Sequence, residues 1–145
     1  MKVIVQRSLN AKVSVNNKVV GESNSGLVLL VGFTEGDNEE KLDFMVNKVL
    51  NLRIFDDEKG IMNKSILEMD NYSILSISQF TLYGDASKGS RPSYIKALKG
   101  EEAKNLYERF NEKLKERITV ETGEFGSEMF VTFTNDGPVT IVLEK

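Results

Sequence analysis

Apolar residues recur with two different periods along this chain, and the switches between them mark out strands and helices. From Met1 to Val15, MKVIVQRSLNAKVSV, near-alternation with Val3, Val5, Val13 and Val15 in one parity predicts a long strand. Asn16-Asn17 predicts a turn, and KVVGES a short returning strand. GLVLLVGF, Gly26 to Phe33, is apolar on both parities; a strand buried on both faces and a short buried helix both fit, and the flanking glycine and short length favour the strand. The period then changes. Leu42, Val46, Val49 and Leu50 fall at helical spacing within Glu39 to Asn51, with Asn38 or Asp37 as N-cap and glutamates in the first turn. RIFDDEKGIMNKSI predicts a strand, an acidic turn and a connector, and YSILSISQFTLY, Tyr72 to Tyr83, a strand with a hydroxyl-rich interior. After the basic loop GDASKGSRPSY, a second helix begins at Glu101, with Ala103, Leu106, Phe110 and Leu114 on one face. The remainder, ITVETGEFGSEMFVTFTNDGPVTIVLEK, predicts two or three strands broken at Gly123 to Gly126 and at Asn135 to Pro138. These elements predict one α+β domain over residues 1–145: antiparallel strands curled into a sheet or barrel, with two main helices packed on it.

Composition narrows the chemistry more than the class. A chain of 145 residues buries one core rather than two. The longest apolar run, Leu27 to Val31, is too short to cross a bilayer, and Met1-Lys2 leads straight into a strand pattern, so a cytoplasmic protein is expected. Cysteine and histidine are both absent, which removes disulfides, thiolate and His-based triads and the usual zinc ligand sets. What remains is carboxylates, lysine, tyrosine, hydroxyls, backbone N–H groups, a hard metal held by oxygens, or groups supplied by the substrate. Asp56-Asp57-Glu58 suits either such a metal or a solvated turn; Lys59-Gly60 follows without the ligand spacing of an EF-hand, and the turn is favoured. No metal or cofactor is expected. A net charge of −3 argues against indiscriminate coating of nucleic acid, while leaving room for a local basic patch.

NDGPVT, Asn135 to Thr140, holds one of the two prolines of the chain between strand-like runs. Taken alone it reads as a hairpin turn. Together with SQFTL at Ser78 to Leu82, VQR near the N-terminus and KGSRPS at Lys88 to Ser93, however, it resembles the D-aminoacyl-tRNA deacylase family, enzymes that free tRNA from wrongly attached D-amino acids. The resemblance runs from MKVIVQR through NLRIF to GPVTIVLE, essentially the entire chain. It implies a small β-barrel-like domain with flanking helices, a homodimer with its active site at the subunit interface, and a cis Gly137-Pro138 bond reaching into the other subunit's site. The Gly-Pro carbonyls would then accept the ammonium of an aminoacyl group, so that an L side chain meets rigid main chain while a D side chain points outward. Glycine, having no side chain, would not be rejected. Arg7 is expected to help hold the loop.

The implied reaction is attack of water on the ester that joins an amino acid to the terminal ribose at the 3′ end of tRNA. Such an ester is already activated, so an oxyanion hole and a positioned water suffice without a histidine base. The main-chain donors of Phe80 and Thr81 are the expected oxyanion hole, Ser78 and Gln79 orient, and the ribose 2′-OH assists the water. Thr81 is also a nucleophile by residue type, although nothing adjacent in sequence deprotonates it. Ser78 and Thr81 suit a half-exposed strand equally well, and Phe80 a core. Phe125 and Met129 either line a pocket for the terminal adenine or belong to the core. Lys88, Arg91, Lys96 and Lys99 either follow tRNA phosphates or form a solvated face. Two departures from the family pattern are Ser8, where a small apolar residue is usual, and Gly84, where alanine is expected. The rival readings are a non-catalytic dimer that binds a small amino-group ligand or an RNA 3′ end, and a hydrolase of free small molecules.

Overall fold

The computed structural model describes residues 1–145. β1 (Lys2–Val15) and β2 (Lys18–Gly32) form a long hairpin whose turn is Asn16-Asn17, both at positive φ, the conformation a two-residue hairpin loop demands. The separate short strand expected at KVVGES merges with GLVLLVGF into the single strand β2. Within it Gly26 has φ +145°, and a Cβ there would stand 1.8 Å from the Ser73 carbonyl oxygen. Helix α1 (Glu39–Asn51) starts where its cap predicts: the Asn38 side chain accepts the Lys41 N–H at 3.2 Å. A small hairpin follows, β3 (Phe55–Asp56) and β4 (Met62–Lys64), closed by Asp57, whose carboxylate accepts the main-chain N–H groups of Lys59 and Ile61. Next come β5 (Ser73–Ser78), α2 (Gly100–Lys115), β6 (Val120–Thr122) and β7 (Phe130–Glu144).

The main sheet has five strands in the order β6-β5-β2-β1-β7. Pairing is antiparallel between β1 and its two neighbours, but parallel between β2 and β5 and between β5 and β6. This corrects the antiparallel, barrel-like expectation: the sheet is mixed and open, with β6 and β7 as free edges. Each helix lies in a connection between two parallel strands, α1 between β2 and β5 and α2 between β5 and β6. Parallel neighbours need such a long crossover, which alternation within single strands does not reveal.

Both helices pack on one face of the sheet, burying Leu42, Met45, Val49, Tyr107, Phe110 and Leu114 against Val3, Val5, Leu27, Leu29 and Ile74. On the other face the far part of β1 curls over the sheet, and Ala11 and Val13 meet Val28, Leu75 and Ile77 in a smaller cluster. β2 and β5, apolar on both parities, lie in the centre of the order because both of their faces are covered.

Two further boundaries differ from the sequence reading. The NDGPVT segment is no hairpin turn: β7 runs through it, and four residues, Asp136 to Val139, bulge out opposite the single residue Arg7, between the pairs Ser8–Asn135 and Gln6–Thr140. SQFTL is no continuous strand either. β5 stops at Ser78, and Phe80–Tyr83 is a 3-10 helix.

Candidate active site

A cavity of about 380 Å³ opens where three pieces of chain converge: the end of β5, the start of α2 and the loop between β6 and β7. From β5 and its turn come Ile77, Ser78, Gln79 and Phe80; from α2 and the residues before it, Leu98, Lys99, Gly100 and Ala103; from the third piece, Phe125, Gly126, Ser127 and Met129. The floor is the end of β2, Val31 to Phe33. This volume lies in the ~300–1,000 Å³ range of small-molecule sites, and the mostly apolar lining with a few polar groups has the composition of such sites.

Each wall is fixed by its local backbone. Gln79 donates its N–H to Val31 O at 2.7 Å, tying the turn to β2 just as the strand ends. Phe80 and Thr81 open the 3-10 helix, so their N–H groups have no partner within it. Phe80 is 47% exposed, with the Tyr94 ring edge-on at 5.2 Å and the Lys99 ammonium 5.5 Å from its centroid. The Tyr94 contact accounts for Gly84, since a Cβ there would lie 2.9 Å from Tyr94 Cε1. Opposite, Gly123 leaves room for Met129, whose sulfur would sit 2.4 Å from a Cβ at that position.

Lys99 is the one ionisable side chain in this lining, and no carboxylate borders the cavity. The groups available to a bound substrate there are main-chain N–H donors, the Lys99 ammonium, the Ser78 and Ser127 hydroxyls and the Gln79 amide. That set can polarise a carbonyl and hold a developing oxyanion; it contains no carboxylate or imidazole.

Of the sequence-derived candidates, the fold gathers Ser78, Gln79, Phe80, Phe125 and Met129 around this one cavity. Thr81 lies just outside the lining, exposed, its hydroxyl accepting the Gln79 Nε2–H at 2.6 Å. Lys88 and Arg91 are exposed in the loop beyond Tyr83, away from the lining, as is Lys96. Sequence reasoning did not single out Gly100, Gly126 and Ser127 or the helix face that continues below Ala103 through Tyr107 and Asn111. Their signal, a small residue followed by polar ones at four-residue spacing, is too common to choose from composition.

Arg7, Gly137 and Pro138 form a second cluster. The Gly137-Pro138 peptide is cis, and both residues are exposed. Arg7, only 8% exposed, donates from Nε to Asp136 O at 3.3 Å and from Nη1 to Ile54 O at 3.0 Å. Its Nη2 lies 3.2 Å from the Asp136 carboxylate. The guanidinium therefore anchors the first residue of the bulge to the sheet and to the β3 region. At the rear, Thr140 Oγ1 accepts from Asn135 Nδ2 at 3.0 Å and from Gln6 Nε2 at 3.2 Å, closing its base. Arg7 pairs with Leu27 on β2, whereas the cavity begins at Val31 on that strand. Two strand spacings across and four residues along place the bulge on the order of 16 Å from the cavity of its own chain.

The architecture recurs among solved structures. One described as c-Myc DNA Unwinding Element Binding Protein superposes with a TM-score of 0.93 at 39% identity, covering 100% of this chain and 99% of its own. Another, described as a probable eukaryotic D-amino acid tRNA deacylase, gives a TM-score of 0.82 over 98% and 97% of the two chains; at 21% identity it is a likeness of fold. The sequence specifies the family more closely. The family model described as D-Tyr-tRNA(Tyr) deacylase matches residues 4–144. Curated relatives named D-aminoacyl-tRNA deacylase, from Anoxybacillus flavithermus and Clostridium tetani, are 54% and 51% identical, covering all of this chain and 99% and 97% of theirs. The chain belongs to the D-Tyr-tRNA(Tyr) deacylase family.

Proposed function

We propose that this protein hydrolyses the ester of D-aminoacyl-tRNA, and of mischarged glycyl-tRNA, releasing the free amino acid and tRNA. The observation that carries this reading is the cavity in which the Ser78–Phe80 turn faces the Phe125 and Met129 wall, with Lys99 as its one ionisable side chain and no carboxylate in its lining. The terminal adenine takes the apolar wall. The ester carbonyl lies against the Phe80 and Thr81 N–H groups, which stabilise the oxyanion as water adds to the carbonyl carbon. Ser78 and Gln79 orient, and the ribose 2′-OH assists the water. Collapse of the tetrahedral intermediate breaks the bond to the ribose 3′ oxygen, which takes up a proton. One oxyanion donor is worth about 3–4 kcal/mol, a large share of what an already activated ester needs. The Thr81 hydroxyl, outside the cavity and engaged by Gln79, is less suited to be a nucleophile than its N–H is to be a donor.

The Gly137-Pro138 bulge acts as the chiral selector in the cavity of a second subunit, because it stands too far from its own. β7 supports a dimer of this kind: a 15-residue edge strand with no fully buried residue that exposes Phe130 (62%) and Val142 (63%). Such an edge is normally paired or covered. Main-chain carbonyls of the bulge accept the substrate ammonium, and an L side chain is driven into the same backbone. Lys88 and Arg91 follow the tRNA backbone near its 3′ end. No helix is long and apolar enough to cross a membrane; the proposed tRNA substrate is what supports a cytoplasmic location.

The test is turnover. With D-tyrosyl-tRNA in excess over protein and a chelator present, many equivalents of D-tyrosine are released per subunit, and Thr81→Ala retains that activity. A binder of RNA 3′ ends would leave the ester intact or protect it. Loss of activity in Thr81→Ala alone would return the hydroxyl to the chemistry.

A further inference from the structure

Below Ala103, α2 carries Tyr107 and Asn111 on the same face, successive turns beneath the cavity wall. Tyr107 is 3% exposed, and its hydroxyl donates to the Ser76 carbonyl at 2.8 Å. That carbonyl also accepts the Gly123 N–H at 3.2 Å. Ser76 lies two residues before Ser78 on β5, and Gly123 two residues before Phe125 in the opposite wall. The Tyr107 ring itself lies against Phe125, with centroids 5.9 Å apart. One side chain thus joins all three walls of the cavity, although it does not line it. Burial raises the phenol pKa, so the hydroxyl stays a protonated donor through the neutral range.

We propose that Tyr107 is a positioning residue for ester hydrolysis, fixing the spacing between the Ser78–Phe80 turn and the Phe125 wall through the shared Ser76 carbonyl. The proposal rests on the esterase reading above. It assigns Tyr107 no proton transfer and no contact with substrate. Its effect falls on how well the oxyanion donors are aligned when the adenine is seated, a term that changes kcat more than KM.

Tyr107→Phe keeps the ring against Phe125 and removes the one hydrogen bond. In the full-length protein, kcat for D-tyrosyl-tRNA is expected to fall about tenfold with KM within about twofold, the scale of one buried hydrogen bond expressed in the transition state. Amide hydrogen exchange in the free protein is expected to quicken at Gly123, which shares the carbonyl, and at Gln79, at the end of the same strand. Val49→Ala, a truncation in α1 away from the cavity, controls for general loosening of the core. A kcat within twofold of wild type, or a fall matched by Val49→Ala at equal loss of stability, overturns the proposal. If the wild type releases no amino acid, the esterase reading has failed instead; exchange then decides the structural tie by itself, and unchanged protection at Gly123 and Gln79 overturns it.

Discussion

Gly137→Ala tests whether the bulge is held in one shape. At this residue φ is +116°, and a Cβ would lie 2.8 Å from Val139 Cγ2 and 3.2 Å from Arg7 Nη2. An L residue in such a region costs of order 1–3 kcal/mol if the backbone stays in place. The Val139 Cγ2 contact can be eased by side-chain rotation, but the Val139 main-chain nitrogen at 3.0 Å and Arg7 are harder to move, the one being backbone and the other a guanidinium bonded to Asp136 and Ile54. The alanine variant therefore either keeps the bulge and loses about 1–3 kcal/mol, or relaxes the bulge and keeps most of its stability. For a chain of this length the first outcome is a fall of about 2–4 °C in Tm per kcal/mol. The second moves the proposed selector, and the ratio of D- to L-tyrosyl-tRNA hydrolysis is expected to drop. Urea denaturation and parallel hydrolysis assays on one preparation read both. A variant with wild-type stability and a wild-type D:L ratio refutes the reasoning, since it would show that the glycine geometry constrains nothing.

Ser8 is buried at 2% exposure with no hydrogen-bond partner for its hydroxyl, so Ser8→Ala is expected to raise stability by about 1 kcal/mol, read as a higher urea midpoint; a destabilised variant contradicts this. Glu39 joins α1 to α2 through Arg109 and Lys113, whose hydrogen bonds lower its pKa from 4.5 to about 2. A depressed carboxylate pKa contributes stability above the unfolded value that is lost as pH falls through the folded one, so wild type should lose stability between about pH 4.5 and 2 more steeply than Glu39→Gln, and less so at high salt. Identical acid profiles would remove Glu39 from that tie. Replacing both Lys88 and Arg91 by glutamine should raise KM for aminoacyl-tRNA and flatten its dependence on salt by about two phosphate contacts, with stability unchanged; an unchanged salt slope assigns both to a solvated face.

Local chemistry made the elements legible, and long-range pairing decided what remained hidden. α1 was readable to the residue because Asn38, the glutamates of the first turn and the apolar spacing all act within the helix. The mixed sheet was not, because whether β5 lies parallel to β2 depends on the crossover and not on either strand's own pattern. Asn135 to Pro138 carried every local mark of a turn. It became a bulge in a continuous strand because Arg7, more than a hundred residues away, supplies the donors that hold Asp136 off the ladder. The Ser78–Phe80, Phe125 and Met129 grouping came from recognising whole motifs, since each of these residues is ordinary for a strand or a core. Tyr107 stayed invisible for a related reason: at helical spacing beside Leu106 and Phe110 it reads as packing, and only its hydroxyl partner gives it a further role.

The central claim is that this cavity removes D- and not L-amino acids from tRNA. Its most direct test is a single-turnover comparison of D-tyrosyl-tRNA and L-tyrosyl-tRNA with the wild-type protein in the presence of chelator. Rapid release from the D ester, with L release at the rate of spontaneous hydrolysis, is the predicted result. Equal release from both would contradict the selector, and release from neither would contradict the esterase.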